Sequence, residues 1–185
     1  MRIVGGKFSG RNLATPSGLS IRPTTDRTRE SLFNILGSRQ ENFWSGKRVL
    51  DLFAGTGALG IEALSRGAQA CTFVEQSVEG RGLIHKNIEN FALQGLTRLL
   101  RRDASELGQI GTMLPFDVVF ADPPYGHGLG ERAFVAAVDG GWVKANGLLV
   151  LEETRNSTIH LPEMFKLDDE RHYGGTIIYI YVLEP

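Results

Sequence analysis

The chain has 185 residues, of which 42% are hydrophobic and 22% charged, and its formal net charge is −1. This length supports one domain with its own core, and a single cysteine excludes a disulfide framework and a cysteine metal cluster. Because no apolar run approaches the length of a membrane span and no signal region opens the chain, we expect a cytoplasmic protein. We also expect a monomer without bound metal.

The N-terminal segment is basic. The first 48 residues carry nine Lys and Arg against three Asp and Glu, a net charge of +6, whereas the remainder carries −7. This asymmetry suits a protein that binds a polyanion at one end and a cationic ligand at the other. Glycine-containing pairs at 5–6 and 9–10 predict a small hairpin, and Thr25 or Asp26 can cap a following helix with an apolar stripe at 32–36.

Strand and helix signals alternate after residue 48. Predicted strands lie near 48–53, 70–75, 97–102, 116–121 and 147–152. Predicted helices lie near 57–66, 77–93 and 131–138. This alternation predicts an α/β fold, a doubly wound and mainly parallel Rossmann-like sheet, and residues 164–183 predict a final antiparallel hairpin. We divide the chain into an N-terminal extension at 1–45, made of a hairpin and a helix, and a catalytic domain at 46–185.

A glycine-rich turn joins the first of these strands to its helix. Gly55, Gly57 and Gly60 form the G-x-G-x-x-G pattern in a strand–turn–helix setting. A dinucleotide could place its pyrophosphate at such a helix N-terminus. S-adenosylmethionine, which carries a sulfonium and no phosphate, fits the turn as well.

Four predicted strands carry an acid at the carboxyl end: Asp51, Glu75, Asp103 and Asp122. Ligands of open α/β sheets bind along that edge. With S-adenosylmethionine in the turn, Asp51 could bind the ammonium of its amino-acid tail directly or through water, and Glu75 could accept from both ribose hydroxyls. Asp103 could accept from the adenine amine while the Ala104 N–H donates to the adenine ring.

The sequence Asp122-Pro123-Pro124-Tyr125 directly follows the strand at 116–121. The exocyclic amine of a nucleobase is nearly planar and a poor nucleophile, but it can attack an electrophilic methyl group if both its hydrogens are held. Asp122 can accept one hydrogen and the Pro123 carbonyl the other, while the two prolines stiffen the turn. Tyr125 offers a flat face on which a base can stack. Taken alone, the motif also fits an ordinary turn.

Two motifs, Asp51-Leu52-Phe53-Ala54-Gly55-Thr56-Gly57 and Asp122-Pro123-Pro124-Tyr125, resemble those of class I methyltransferases that modify nucleobase amines. The segments at 2–8 and 22–30 resemble the opening of the bacterial 16S ribosomal RNA guanine-N2 methyltransferases. The resemblance implies S-adenosylmethionine as cofactor, methyl transfer to the N2 amine of a guanine in the small ribosomal subunit, and a seven-stranded sheet with an antiparallel last strand. That family often has Phe at the position of Tyr125, and either ring can stack.

The resemblance also implies the residues of the sites. The implied cofactor site consists of Asp51, Phe53, Ala54, Gly55, Thr56, Gly57, Glu75, Gln76, Asp103, Ala104 and Asp122. The implied catalytic residues are Asp122, Pro123, Pro124 and Tyr125. We expect the basic segment to bind the ribosomal RNA backbone through Arg2, Lys7, Arg11 and Arg22.

Three alternatives remain open from the sequence. An adenine-N6 methyltransferase acting on DNA or RNA would use the same amine geometry. A nicotinamide-dependent oxidoreductase could use the glycine-rich turn, although it leaves the Asp-Pro-Pro-Tyr motif without a role. An assembly factor that binds the cofactor without catalysis would also carry these motifs.

Overall fold

The computed structural model describes residues 1–17 and 25–185, which form one seven-stranded sheet, four α-helices and three short 3-10 turns. The strands are β1 (Arg48–Leu52), β2 (Ala70–Val74), β3 (Thr97–Leu100), β4 (Phe116–Ala121), β5 (Val143–Thr154), β6 (Phe165–Tyr173) and β7 (Thr176–Leu183). The helices are α1 (Asp26–Gly37), α2 (Ala58–Ser65), α3 (Val78–Asn90) and α4 (Leu129–Asp139). The 3-10 turns are Gly6–Phe8, Gln94–Leu96 and Ala104–Glu106.

The strand order is β3-β2-β1-β4-β5-β7-β6. Strands β1 to β5 pair in parallel, and β7 runs antiparallel to both of its neighbours, β5 and β6. The predicted α/β fold with an antiparallel last strand is therefore confirmed. The chain builds outward from β1 to β3 and then returns to place β4 on the other side of β1. Ligands of open α/β sheets bind at such a reversal, outside the carboxyl ends of the strands.

Helices cover both faces of the sheet, so the doubly wound prediction is also confirmed. On one face, α1, α2 and α3 bury Phe33, Ile61 and Ile84 in a cluster that includes Phe120. On the other face, α4 buries Phe134 in a second cluster. Within the described residues, no helix combines the length and the apolar character needed to cross a bilayer.

The start of α1 follows its predicted capping. Thr25 is the N-cap residue, and its hydroxyl accepts the Thr28 N–H at 3.1 Å. The side chains of Leu32, Phe33 and Leu36 are buried on the sheet side of the helix. This cap and this stripe fix where the helix starts and which face it buries.

The N-terminal segment forms a small hairpin with little regular strand pairing. The Ile3 N–H donates to the Arg11 carbonyl at 3.0 Å, and the segment has one isolated antiparallel bridge, between Arg2 and Asn12, among the described residues. Regular pairing stops because the 3-10 turn at Gly6–Phe8 intervenes. Its apolar side chains join the core cluster that also holds α2: Ile3, Phe8 and Leu13. The segment thus packs into the hydrophobic core of the sheet.

Candidate active site

The glycine-rich turn between β1 and α2 requires left-handed backbone. Phe53 has a φ of 55°, and Gly57, the residue before α2, has a φ of 78°. A Cβ at Gly60 would lie 2.4 Å from Phe73 Cε1 and 2.5 Å from Cys71 Sγ on β2. Glycine at this position therefore lets α2 pack directly against the strand, as the sequence pattern predicts.

Asp51 lies within β1 and supports the turn. Its side chain is 1% exposed, and its Oδ2 accepts the Gly60 N–H at 2.9 Å. Burial raises the pKa of Asp51 from 3.8 to about 8, the hydrogen bond from Gly60 opposes this rise, and the nearby charge of Glu75 adds to it. The carboxyl of Asp51 thus links β1 to the first turn of α2.

A cleft with a volume of about 470 Å³ opens at the carboxyl edge of the sheet. Six of the predicted cofactor residues line it: Phe53, Gly55, Glu75, Gln76, Asp103 and Ala104. Pro124 from the Asp-Pro-Pro-Tyr turn lines it as well. The cleft therefore joins the glycine-rich turn, the ends of β2 and β3, and the predicted catalytic turn in one cavity.

Backbone N–H groups orient Glu75, which directly follows β2. Its Oε2 accepts the Gly55 N–H at 2.8 Å, and its Oε1 accepts the Ser77 N–H at 2.8 Å. A carboxylate oxygen can accept two hydrogen bonds, so each oxygen has the capacity for one more donor. The geometry suits an acceptor for two adjacent hydroxyl groups.

Asp103 starts the 3-10 turn that follows β3. Its Oδ1 accepts both the Ser105 N–H at 2.8 Å and the Ser105 hydroxyl at 2.7 Å. Oδ2 takes part in neither bond. The two bonds fix the carboxyl of Asp103 beside Ala104, which is buried. The wall of the cleft therefore presents the Asp103 carboxylate as an acceptor next to the backbone of Ala104.

Strand register aligns the catalytic turn with this cleft. Leu52 of β1 pairs with both Val74 and Ala121, so the residues directly after β2 and β4 leave the sheet at one level. Asp122 is half-buried, Pro123 is buried and Tyr125 is half-buried. Among residues 1–17 and 25–185, no three His, Cys, Asp or Glu side chains gather closely enough to hold a metal ion.

Two acids to which the sequence assigned no role accept hydrogen bonds from the end of the catalytic turn. Glu152 Oε1 accepts the Tyr125 hydroxyl at 2.7 Å, and Glu153 Oε1 accepts the Gly126 N–H at 3.0 Å. Both follow the apolar run at 148–151, at the carboxyl end of β5. An acid at the carboxyl end of a strand is the signal that marks the four other acids, and Glu152 and Glu153 carry the same signal.

The predicted RNA-binding residues that are described lie on the surface. Arg2, Lys7 and Arg11 are exposed, whereas Arg22 falls outside the described residues. Arg2 pairs with Asp26 at 3.5 Å. The guanidinium of Arg11 lies 4.4 Å from the centre of the Phe91 ring, and its Nη2 donates to the Asn90 carbonyl at 2.6 Å. Arg11 therefore also fastens the segment to the end of α3.

The buried side chains of Arg29 and Asn87 form hydrogen bonds with the backbone of the N-terminal segment. Arg29 is fully buried, donates to the Arg2 carbonyl at 2.8 Å and pairs with Asp26 and Glu62. Asn87 is also fully buried.

The side chain of Asn87 links two separate segments. Its Oδ1 accepts the Ala14 N–H at 2.7 Å, and its Nδ2 donates to the Ala14 carbonyl at 3.1 Å and the Thr56 carbonyl at 2.9 Å. One amide thus links the basic segment to the glycine-rich turn.

The sheet order, the glycine-rich turn and the strand-end acids define a class I methyltransferase. The chain belongs to the family described as "Conserved hypothetical protein 95", whose profile matches residues 1–182. It is 38% identical over 188 residues to the Ribosomal RNA small subunit methyltransferase D of Escherichia coli, an alignment that covers 100% of this chain and 90% of that protein.

Two solved structures with similar folds cover the whole chain. One, from Escherichia coli, is provisionally described as a methyltransferase; its TM-score is 0.85 at 36% identity, and the match covers 98% of it. The other, from Haemophilus influenzae, is provisionally described as a methylase; its TM-score is 0.81 at 31% identity, and the match again covers 98% of it. These similarities favour methyl transfer over the oxidoreductase interpretation of the glycine-rich turn.

Proposed function

We propose that this protein transfers a methyl group from S-adenosylmethionine to the N2 amine of a guanine in the 16S ribosomal RNA of the small subunit. The observation that carries the proposal is the cleft itself, because it joins the glycine-rich turn and two strand-end acids to the Asp-Pro-Pro-Tyr turn. The full-length similarity to a ribosomal RNA small subunit methyltransferase supports the choice of substrate.

The polar groups that line the cleft suit S-adenosylmethionine, which supplies an electrophilic methyl group on a sulfonium sulfur. Glu75 accepts from the ribose hydroxyls, since backbone N–H groups already orient both of its oxygens. Asp103 and the Ala104 N–H recognise the adenine edge, and Phe53, Gly55 and Gln76 form the walls. We assign to the same cofactor site Asp51 of β1 and three residues of the glycine-rich turn, Ala54, Thr56 and Gly57.

The residues of the catalytic turn hold the target amine. Asp122 accepts one amine hydrogen and the Pro123 carbonyl accepts the other, which directs the nitrogen lone pair toward the methyl group. The amine becomes acidic as the new C–N bond forms, and Asp122 receives or relays its proton. This role requires positioning and electrostatics and does not require a strong base. Pro124 keeps the turn rigid and borders the cofactor cleft.

Tyr125 provides the stacking face for the target base. A base must leave its helical stack to reach an enclosed site, and an aromatic ring compensates for part of the lost stacking. The phenol is a poor base because its reference pKa is about 10. We assign Tyr125 to binding the base and not to proton transfer.

Recognition of RNA is assigned to the basic extension. Residues 1–45 form the RNA-contacting extension and residues 46–185 the methyltransferase domain. Arg2, Lys7, Arg11 and Arg22 contact phosphates, in keeping with the +6 charge of residues 1–48. We further propose that the protein acts as a monomer and that it works in the cytoplasm, where its ribosomal substrate is found.

Nucleoside mass spectrometry tests the proposal directly. Small subunits and RNA from cells lacking this modification are incubated with the protein and methyl-labelled S-adenosylmethionine, then digested to nucleosides. We expect labelled N2-methylguanosine and its loss with Asp122→Asn. Labelled N6-methyladenosine would establish the adenine alternative instead. Cofactor binding with no labelled nucleoside from small subunits, from RNA or from a parallel incubation with DNA would contradict catalysis and favour an assembly factor.

A further inference from the structure

We infer that Glu152 is a positioning residue that fixes the Tyr125 ring for stacking on the target base. The inference rests on the proposed function, in which Tyr125 binds the base. Its observation is the hydrogen bond from the Tyr125 hydroxyl to Glu152 Oε1, 2.7 Å long. Glu152 is 7% exposed, so the bond is formed largely away from solvent.

The neighbouring glutamate holds the same turn at a second point. Glu153 is 1% exposed, and its Oε1 accepts the Gly126 N–H at 3.0 Å and the Thr154 N–H at 2.7 Å. Successive side chains of a strand point to opposite faces of the sheet. Glu152 and Glu153 therefore bond to the end of the catalytic turn from opposite faces of the sheet.

The sheet makes this support rigid. Ala121 of β4 pairs with Leu151 of β5, so the catalytic turn leaves β4 beside Glu152. Glu152 pairs with Ile178 of β7, so its backbone is held in the sheet on that side of β5. A side chain anchored on an inner strand transmits that rigidity to the turn, which follows the end of β4.

A hydrogen bond to the hydroxyl restricts the ring of Tyr125 without covering its face. A free aromatic ring on a turn loses rotational freedom when a base stacks on it, and this loss weakens binding. Ordering one such side chain in advance improves affinity by about 3- to 10-fold. Because the acceptor is a carboxylate, the bond is also about twice as strong as one to a neutral group. Glu152 thus acts on base binding through Tyr125.

A double-mutant cycle tests this coupling, with wild-type methyl transfer measured first. Tyr125→Phe and Glu152→Ala should each raise KM for RNA by about 3- to 10-fold, with unchanged cofactor affinity. The double variant should be no worse than either single variant. Glu152→Gln keeps an oxygen for the hydroxyl and should restore most of the loss. If Glu152→Ala does not fold, Glu152→Leu replaces it in the cycle, because leucine fills much of the same space but offers no acceptor for the hydroxyl.

Tyr181→Phe provides the matched control, because it removes a buried phenol on β7, outside both the catalytic turn and the proposed RNA-contacting extension. It should leave KM for RNA unchanged. Multiplicative effects of Tyr125→Phe and Glu152→Ala on KM would overturn the inference, as would a Glu152→Gln variant as impaired as Glu152→Ala. A wild-type protein with no methyl transfer would instead refute the proposed function, and this inference with it.

Discussion

Raising the pH through neutrality should destabilise the fold through Asp51, and Asp51→Asn should remove that effect. Burial raises the pKa of this carboxyl from 3.8 to about 8. The folded chain therefore keeps a proton that the unfolded chain loses above about pH 4. The stabilisation from this proton is complete below the unfolded pKa and disappears as the pH rises through the folded pKa. Its window extends from about pH 4 to about pH 8.

Inside that window the free energy of unfolding should fall by about 1.4 kcal/mol for each pH unit from this group alone. Between about pH 6 and about pH 7.5 the loss is about 2 kcal/mol, or about 4–8 °C in melting temperature for a chain of this size. Asn at position 51 keeps an oxygen that accepts the Gly60 N–H.

Urea unfolding of both proteins across this range isolates the effect, because the other titrating groups cancel in the difference. A difference between wild type and Asp51→Asn that stays constant between about pH 5 and about pH 8 would refute the reasoning.

Three further predictions concern the separate parts of the site. Glu75→Ala should weaken cofactor binding by about 10- to 100-fold in calorimetry, because it removes a charged acceptor; tight NADH binding without S-adenosylmethionine binding would contradict the assignment. Asp122→Asn should lower kcat about 100-fold or more, with cofactor affinity nearly unchanged; equal losses in both would place Asp122 in cofactor binding. Lys7→Glu should weaken RNA binding and reduce the salt slope by about 0.7; an unchanged slope would show that Lys7 contacts no phosphate.

Local sequence signals predicted most of the fold. Alternating strand and helix patterns predicted the parallel sheet, and a pair of glycines predicted the last hairpin. The pattern around Gly60 also predicted close packing of α2, since the contacts that exclude a Cβ come from the adjacent strand. In each case the information lies within a short stretch of chain.

Features that depend on distant partners could not be predicted in this way. No local pattern indicates that Arg29, at the start of α1, is fully buried, and the Arg2 carbonyl and Glu62 both contact its guanidinium. The sequence distance between Arg29 and these partners hides the contacts from any local pattern. Asp51 is predicted as a cofactor residue from its place near a strand end, and nothing in that pattern indicates that burial raises its pKa to about 8.

The contacts of the N-terminal segment have a consequence for folding during synthesis. Val4 bonds to Glu62, 58 residues later, and Ala14 bonds to Asn87, 73 residues later. At about 5–20 residues per second, the first residues leave the ribosome several seconds before these partners are made. The basic segment must therefore emerge unfolded, next to ribosomal RNA, and dock only after α3 is complete. The part of the chain with the highest positive charge is thus made first but docks only after Glu62 and Asn87 have been made.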